Sequence, residues 1–351
     1  MRKTSLLSAT ESLFELTGMS ACVSEGDLVA VKLHFGERGN TAFIPPIFVR
    51  RVVDRIKQAG GKPFLTDSNT LYRGSRANAA DHTVTAIENG FAYATTGAPI
   101  VIADGILGKE YIEVRIDGRH FETVKIGAAA AEADALIVLS HFKGHEATGY
   151  GGTLKNIGMG LGARSGKQQM HADFSPQIDA EKCTACAKCT EWCPAEAIQV
   201  GERAWTDHGL CIGCGECVVT CPYGAIAVDW STDAAKMQEK IVEYAKGALA
   251  GKDGKAAFFN FLLNVTPDCD CWHFSEAPIV PDVGILASTD PVAIEQASVD
   301  LVARARPLDE RVAGEDGDKF AKLTGVDGTP MLAYAERLGL GSREYELIHA
   351  E

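Results

Sequence analysis

Two short runs of cysteine constrain this chain more than any other feature of its sequence. Each run has the spacing C-x2-C-x2-C-x3-C-P. The cysteines concerned are Cys183, Cys186, Cys189, Cys193, Cys211, Cys214, Cys217 and Cys221. In this spacing three neighbouring thiolates hold one [4Fe–4S] cluster, while the fourth cysteine points away and completes the other. The runs therefore predict two such clusters and one-electron redox chemistry.

The last cysteine of each run is predicted to serve the cluster of the other run. One cluster would be held by Cys183, Cys186, Cys189 and Cys221, and the other by Cys193, Cys211, Cys214 and Cys217. Zinc is the alternative, because paired C-x2-C spacings also bind zinc. A zinc site does not need three closely spaced cysteines, whereas each run contains such a triplet. Ala197-Ile198 after the first run is also mirrored by Ala225-Ile226 after the second. This internal repeat favours iron–sulfur clusters.

The composition is that of a folded protein from a reducing compartment. The chain has 351 residues, 46% of them apolar, and a formal net charge of −13. It has no lysine- or arginine-rich run, which argues against nucleic acid or anionic lipid, whereas its acidic charge would steer a basic redox partner protein. No apolar run reaches the roughly 20 residues that span a bilayer, and the first residues lack the apolar core of a signal peptide. We expect a cytoplasmic protein whose cysteines bind metal.

Strand-like and helix-like patterns alternate before the cysteine runs. Residues 27–35, 62–68, 99–104 and 135–142 are typical of buried strands, and 46–61, 76–90 and 128–134 are typical of helices. This alternation predicts an α/β fold with a mostly parallel sheet flanked by helices. Residues 111–117 and 121–127 predict a hairpin added to that sheet.

The same patterning resumes after the cysteine runs. Residues 233–251 predict a helix, 256–265 and 281–288 predict strands, and Asp290 followed by a proline is a good start for another helix. We therefore predict one discontinuous α/β domain of unknown function, residues 1–178 and 231–351. An inserted ferredoxin-like (α+β) domain with two clusters would occupy residues 179–230. Two separate domains joined through the cysteine region are the alternative.

A glycine-rich segment after the strand at 135–142 is the first candidate site. In an open α/β sheet its first residues would lie at the carboxyl end of a strand, where such folds bind ligands. It contains His141, His145, Lys155 and His171, and we take His145 and Lys155 as candidate catalytic residues. Its glycines include Gly149, Gly151, Gly152 and Gly158. They could approach a cofactor or anion, or serve turns and close helix packing.

Two further candidate sites follow other predicted strands. Cys269, Cys271 and His273 alternate, so on an extended strand they would share a face. They could bind a metal or form a dithiol that the clusters reduce, or the cysteines could simply be buried apolar residues. His34 follows the first strand, in a segment that could bind a ligand or form a turn. A further metal or ligand site would draw on His34, His141, His171, Cys269, Cys271 and His273.

Several motifs resemble known families. The cysteine runs resemble bacterial two-cluster ferredoxins. Together with VKLHFGERGNTAFI, SHFKGHEATGYGGTLKNIGMGLG and PDCDCWHFSEAPIVPDVGILASTDPVAIEQASVDLV, they resemble the bacterial and archaeal iron–sulfur proteins of domain-of-unknown-function family 362. That resemblance covers most of the chain and implies the architecture and the clusters. It implies no particular reaction, because the family has no settled activity.

The glycine-rich segment also resembles the lactate racemases. Their signature runs from a histidine into Gly-Tyr-Ser-Gly-Gly-Arg-Lys, and here His145 is followed by GYGGTLK, ending in Lys155. The resemblance implies that His145 is an acid/base residue, that Lys155 anchors a nickel-bearing pincer nucleotide and that His171 binds the nickel. Leu154 stands where that signature has arginine, and the second catalytic histidine has no counterpart.

Three functional hypotheses follow. The leading one is an electron-transfer protein or oxidoreductase whose clusters relay electrons to a ligand site in the larger domain, with a small-molecule substrate that the sequence does not identify. The first alternative is a ferredoxin-like carrier whose large domain only docks partners. The second is a nickel-cofactor isomerase related to lactate racemase.

Overall fold

The computed structural model describes residues 5–72, 74–171, 176–193, 195–211, 216–227, 233–314 and 317–350. The helices in these ranges are α1 (Leu6–Leu16), α2 (Pro46–Gln58), α3 (Ala79–Glu88), α4 (Tyr93–Thr96), α5 (Ala128–Glu132), α6 (Thr153–Leu161), α7 (Arg164–His171), α8 (Glu216–Thr220), α9 (Ala234–Leu249), α10 (Pro291–Arg304), α11 (Lys319–Thr324) and α12 (Thr329–Arg337). The strands are β1 (Leu28–Lys32), β2 (Lys62–Thr66), β3 (Tyr111–Arg115), β4 (Thr123–Gly127), β5 (Ala135–His141), β6 (Lys143–His145), β7 (Gly149–Gly151), β8 (Gln177–Ile178), β9 (Ile198–Val200), β10 (Ala204–Thr206), β11 (Ile226–Ala227), β12 (Ala256–Leu262) and β13 (Gly284–Ser288). Among the described helices, none combines the length and apolar character needed to cross a membrane. The predicted ligand Cys214 lies outside the described residues.

A five-stranded sheet forms the centre of the fold. Its strand order is β13-β12-β5-β1-β2, and all strands run parallel except the edge strand β13. Near the middle of the sheet, Val31 of β1 lies between Leu65 of β2 and Ile137 of β5. Short apolar strands of this kind are expected where both faces of a parallel sheet are covered. The predicted α/β fold, with a mostly parallel sheet flanked by helices, is confirmed.

Helices cover both faces of the sheet, and β5 divides its side chains between them. Ile137 and Leu139 belong to the apolar cluster that contains residues of α1 and α2, while Leu136 and Val138 belong to the cluster that contains residues of α6 and α9. This division follows from the alternation of side chains along a strand. Full burial of a Leu, Ile or Val side chain contributes about 1.5–3 kcal/mol. The central strand therefore stabilises both halves of the core.

Gly158 allows α6 and α9 to pack closely. A Cβ atom at this position would lie 2.1 Å from the carbonyl oxygen of Ile241. Only a residue without a side chain permits this approach. The sequence leaves two roles open for this glycine, ligand contact and helix packing. The structure shows it at a helix-packing position.

The structure corrects two predictions about the edges of the sheet. The β3–β4 hairpin forms, but it is a separate two-stranded sheet rather than an addition to the central one. Val124 of β4 packs against Gly247 of α9 instead, so the hairpin buries its apolar face under a helix. Residues 99–104 make a single bridge, Ile100 to Leu65, rather than a strand. Pro99 has no N–H to donate, which limits pairing there.

The cysteine runs lie between α7 and α9, in a region with its own small sheets. β8 pairs with β11, and β9 pairs with β10, both antiparallel. Ile198, Ala225 and Ile226 belong to a separate apolar cluster in this region. The central sheet takes β1, β2 and β5 from before this region and β12 and β13 from after it. The domain boundaries, and the ferredoxin-like character of the region, stay predictions.

Candidate functional site

The candidate site lies at the edge of the central sheet where the parallel strands end. β1 ends at Lys32, β2 at Thr66, β5 at His141 and β12 at Leu262. Open parallel sheets bind ligands at this edge. The polar segments singled out from the sequence follow three of these strands, so the fold brings them together.

The segment after β1 packs against the segment after β12. The backbone N–H of Glu37 donates to the carbonyl of Asp270 at 3.0 Å, and Asn40 Nδ2 donates to the carbonyl of Phe274 at 2.9 Å. A Cβ atom at Gly39 would lie 2.5 Å from the His273 carbonyl oxygen. This packing fixes the loop that carries the two candidate cysteines.

A buried ionic network lies beneath these loops. Lys32 Nζ is 3.0 Å from Asp67 Oδ1 and donates to Asn156 Oδ1 at 2.6 Å. Arg76 contacts both Asp67, at 3.4 Å, and Glu37, at 3.3 Å. Burial alone would raise the pKa of Asp67, but the cations around it, Lys32 foremost, hold that pKa below its usual value. Because paired charges of this kind are costly to break, the network gives the edge a fixed geometry.

His141 holds in place the loop that follows β12 and carries Cys269 and Cys271, called the β12 loop below. Its Nδ1 donates to Asp270 Oδ1 at 2.8 Å, and its Nε2 faces the carbonyls of Leu263, at 3.0 Å, and Asn264, at 3.1 Å. Both ring nitrogens therefore face acceptor oxygens of the protein. The structure gives His141 a positioning role, and its membership of the predicted ligand set stays a prediction. Asp270, which also lies 3.5 Å from Lys143 Nζ, completes this anchor.

Gly144 lets β6 approach the β12 loop. Its N–H donates to the carbonyl of Thr266 at 2.8 Å, and a Cβ atom here would lie 1.9 Å from the carbonyl oxygen of Pro267. The next residue along β6 is His145. The close contact at Gly144 therefore carries the His145 ring to the loop that holds Cys269.

His145, Cys269 and Cys271 form the centre of the candidate site. One ligand atom of each, a ring nitrogen or a sulfur, lies within 4.8 Å of the other two. His145 and Cys269 are buried, and Cys271 is partly exposed. Lys155 of α6 reaches the same place, with Nζ 3.8 Å from Cys269 Sγ. The structure thus joins the first two candidate segments into one cluster of two thiols, an imidazole and an ammonium group.

The two thiols are in opposite protonation environments. The hydrogen bond from Cys271, followed by the nearby Lys155 and His145, lowers the pKa of Cys269 well below its usual value, although burial opposes this. The same hydrogen bond, together with burial, raises the pKa of Cys271 well above its usual value. Burial would lower the pKa of Lys155, but the sulfurs outweigh it and raise that pKa. A thiolate at Cys269 beside the Lys155 cation is the resulting charge arrangement.

The remaining histidines of the predicted site differ in their surroundings. Burial, followed by the charges of His145 and Lys155, lowers the pKa of His171 to about 3, so this residue at the end of α7 is within electrostatic reach of the cluster. His34 is half-buried, and its Nδ1 accepts the N–H of Gly36 at 3.0 Å. His273 is exposed. It does not share a face with the cysteines, because Trp272 N–H donates to the Cys269 carbonyl at 3.1 Å and the segment turns.

The predicted cofactor-binding glycines lie in the β6–β7 hairpin and at the start of α6. Gly149 pairs with His145 and has a φ of +78°, and Gly151 pairs with Lys143. Gly152 faces the carboxylate of Glu295, from which a Cβ atom would be only 2.5 Å away. These contacts explain the glycines as packing positions, and their role in binding a cofactor stays a prediction.

Two residues that the sequence did not single out belong to this edge. Lys143 pairs with Asp270, and the buried Glu295 of α10 lies at the start of α6, where Leu154 N–H donates to it at 3.4 Å. Burial raises the pKa of Glu295 to about 8. Glu295 lies one helical turn from Val292 and Val299, so a glutamate on an otherwise apolar helix face was the available sequence signal.

Four cysteines line one open cavity in the region of the cysteine runs. The cysteines that line it are Cys183, Cys186, Cys189 and Cys221. Three of them belong to the first run, and the fourth closes the second. Backbone N–H groups donate to the sulfurs nearby, from Ala204 to Cys183 and from Ala225 to Cys221, both at 3.3 Å. Such donors favour thiolates.

The first and second cysteine runs repeat the same local contact. Ala197 N–H donates to Cys193 Sγ at 3.2 Å, and Ala225 N–H donates to Cys221 Sγ at 3.3 Å. Each donor stands four residues after its sulfur and begins the apolar pair that the sequence repeats. The internal repeat is therefore present in the backbone as well as in the spacing of the cysteines.

Comparisons with known proteins bear on the whole chain. It is 32% identical over 145 residues, 40% of its length, to the "Thylakoid-associated protein sll1697" of Synechocystis sp., and the match spans only 41% of that protein. Among solved structures it is similar to the lactate racemase apoprotein from Thermoanaerobacterium thermosaccharolyticum, with a TM-score of 0.42, 13% identity, and coverage of 84% of this chain and 56% of the other. The family model "Domain of unknown function (DUF362)" matches residues 29–300. The chain therefore belongs to the DUF362 family, as its motifs predict.

Proposed function

We propose that this chain is an iron–sulfur electron-transfer protein that carries two [4Fe–4S] clusters and passes electrons to the site around Cys269. The observation that carries the proposal is the single cavity lined by Cys183, Cys186, Cys189 and Cys221. Three thiols from one run and the last thiol of the other are the set that a two-cluster arrangement requires. A zinc site formed within one run would have no use for Cys221.

The contact between the cysteine region and the α/β body supports a route for electrons. α8, which carries Cys217 of the second run, packs against α7. α7 ends at His171, which is within electrostatic reach of His145 and Lys155. The cluster held by the second run would therefore face the candidate site through one helix. Trp192, in the first run, makes a second contact, since Lys109 Nζ lies 3.7 Å from its ring centroid.

The residues of the candidate site fit an acceptor of electrons. When bound, the clusters supply electrons one at a time. A thiolate at Cys269 and a cation at Lys155, together with His145, offer groups that can hold an anionic or metal-bound acceptor and move protons to it. The proposal is therefore an oxidoreductase whose substrate binds at the carboxyl edge of the sheet.

Metal analysis of anaerobically purified protein tests the clusters. We expect about eight irons and about eight acid-labile sulfides per chain, and a paramagnetic signal on reduction. Zinc in place of most of the iron, after anaerobic reconstitution, would overturn the proposal. Stoichiometric nickel would instead support the isomerase interpretation.

Reoxidation of the reduced clusters tests the delivery of electrons to the site. Reduced wild-type protein and the Lys155→Ala variant are mixed with candidate small-molecule acceptors, and the loss of the reduced-cluster signal is timed. We expect slower reoxidation in Lys155→Ala with unchanged iron content. Lys57→Ala, on α2, is the matched control and should behave as wild type. Equal rates in all three proteins with every small acceptor, but fast transfer to a carrier protein, would favour the ferredoxin-like carrier.

A further inference from the structure

We propose that His145, Cys269 and Cys271 bind one divalent transition-metal ion of the thiolate-binding class, of which zinc is the reference. Their ligand atoms lie within 4.8 Å of one another. Around a tetrahedral zinc, with metal–sulfur bonds of about 2.3 Å and metal–nitrogen bonds of about 2.0 Å, neighbouring ligand atoms are roughly 3.5–3.8 Å apart. The observed atoms therefore need to approach one another by at most roughly 1.3 Å to close around an ion.

The donor set selects the class of metal. Two sulfurs and one imidazole are soft or borderline ligands, which suit zinc and similar ions rather than magnesium or calcium. The buried carboxylate between the two cysteines, that of Asp270, is already held by His141 at 2.8 Å and by Lys143 at 3.5 Å, so it is not free to add an oxygen ligand. Three protein ligands leave a fourth position open, which is the arrangement of catalytic rather than structural zinc sites.

The surroundings of His145 can supply the tautomer that a metal needs. Thr148 Oγ1 lies 3.0 Å from His145 Nδ1, and the same hydroxyl donates to the carbonyl of Tyr150 at 2.8 Å. In this structure Nδ1 also accepts the backbone N–H of Ala147 at 3.2 Å, so binding of an ion at Nε2 requires the ring proton to move to Nδ1. The hydroxyl oxygen of Thr148, whose own proton is committed to Tyr150, can then accept that proton. Ligand histidines are usually oriented by a partner of this kind on their second nitrogen.

The loops around the three ligands are already fixed. The close contact at Gly144 sets His145 against the β12 loop, and the His141–Asp270 pair holds the stretch between the two cysteines. A site that is fixed before the ion arrives loses less conformational entropy on binding. Lys155, 3.8 Å from Cys269 Sγ, adds a cation that offsets the charge of a second thiolate.

The metal site deepens the proposed function, because it lies where the electrons are delivered, but its ligands are not those of the clusters. Cys22 shows the contrasting case within the same chain. It is buried, and its sulfur faces only a backbone carbonyl, that of Ala256 at 3.6 Å. Among the described residues, Cys22 belongs to no group of three or more potential metal ligands. It therefore serves as a matched control for a cysteine substitution in the same domain.

Zinc binding by the cluster-loaded protein tests the site. Anaerobically purified protein is equilibrated with excess Zn²⁺, desalted and analysed for iron and zinc. We expect about one zinc per chain in addition to the iron, and its loss in Cys269→Ser, Cys271→Ser and His145→Gln with the iron unchanged. Cys22→Ser should keep both metals. Substitution with Co²⁺ should add a sulfur-to-cobalt charge-transfer band that disappears in Cys269→Ser.

A milder variant keeps the test informative if the ligand variants fold poorly. Thr148→Val removes the acceptor on His145 Nδ1, and loss of such a partner commonly lowers metal affinity about 10- to 100-fold. Zinc bound as tightly in this variant and in Cys269→Ser as in wild type would overturn the proposal, as would wild-type protein that binds no zinc. Iron without zinc would refute only the metal site. Zinc lost specifically in the ligand variants of a protein that holds no iron would refute only the clusters.

Discussion

At the scale of single residues, the position of His145 depends on the glycine before it. In Gly144→Ala the new Cβ would lie 1.9 Å from the carbonyl oxygen of Pro267, and a backbone atom cannot rotate away. β6 and the β12 loop must therefore separate, which moves His145 from Cys269. We expect the free energy of unfolding to fall by about 1–3 kcal/mol. Zinc retention should fall with it, as measured on the desalted protein.

Gly201→Ala provides the control for that substitution. A Cβ atom at Gly201 meets nothing within 4 Å. Both the denaturation midpoint and the metal content of this variant should match wild type. A Gly144→Ala protein that also matched wild type would contradict the tight contact between β6 and the β12 loop.

Glu295 gives the stability of the chain a dependence on pH. Burial raises its pKa to about 8 in the folded protein, against 4.5 for an ordinary glutamate. Between these values the folded state holds a proton that the unfolded state has released, so stability falls as the pH rises. At 1.36 kcal/mol per pH unit, the loss between pH 6 and pH 8 is roughly 2–3 kcal/mol. Glu295→Gln should remove this part of the slope.

Denaturant titrations of wild type and Glu295→Gln at pH 6 and pH 8 measure that difference directly. The glutamine amide can still accept the N–H of Leu154, so the contact with α6 survives the substitution. Parallel stability curves for the two proteins across this range would show that Glu295 is ionised in the fold and that its pKa is not raised.

The sequence predicted which residues carry the candidate chemistry better than it predicted their grouping. Cys269, Cys271, His145 and Lys155 were all singled out, but in separate segments. Their meeting depends on β12 pairing with β5, a contact between strands more than a hundred residues apart. His273 was grouped with the cysteines by alternation, which holds only for an extended strand. The turn after Cys269 breaks that pattern.

At the scale of helices and strands, periodicity predicted the core strands correctly but did not predict the structure at the edges of the sheet. β1, β2, β5 and β12 are apolar runs with both faces buried, so their pattern is unambiguous. The β3–β4 hairpin was predicted as a hairpin but placed on the wrong sheet. Its apolar face fits a helix as well as a sheet edge, and only the tertiary contact with α9 decides between them.

The start of α10 provides a prediction at this scale. Asp290 Oδ1 accepts the N–H groups of Val292, at 2.8 Å, and Ala293, at 2.9 Å, and Oδ2 accepts the N–H of Ser342 at 2.9 Å. Replacing such a cap by alanine costs about 0.5–2 kcal/mol. We expect Asp290→Ala to lower the midpoint of denaturation accordingly, and Asp290→Asn, which keeps one acceptor oxygen, to lower it less.

The exposed Asp253 is the matched control for that cap. Asp253→Ala, in the turn before β12, should leave the midpoint unchanged, because this side chain is exposed and makes no hydrogen bond within the part of the chain that the structure describes. An Asp290→Ala protein as stable as Asp253→Ala would mean that α10 does not depend on its cap.

At the scale of the whole molecule, the cysteine region and the carboxyl edge of the sheet are joined by one helix. α7 contacts α8 at the cysteine region, and its last residue, His171, is within electrostatic reach of the candidate site. The sequence predicted an inserted relay, because α/β patterning continues on both sides of the cysteine runs. It could not predict that α7 links the relay to the site, because the glycine-rich segment that contains α7 has no clear helical period.

Two arrangements of the cysteine region are distinguishable by experiment: each run holds its own cluster, or the two runs exchange their last cysteines. If each run held its own cluster, Cys193→Ser would alter the same cluster as Cys183→Ser. In the proposed arrangement Cys221 completes the first cluster, as its place in the cavity with Cys183, Cys186 and Cys189 supports. We therefore expect Cys221→Ser to change the same paramagnetic signal of the reduced protein as Cys183→Ser. Cys193→Ser should change the other signal, and identical spectra for Cys183→Ser and Cys193→Ser would contradict the exchange.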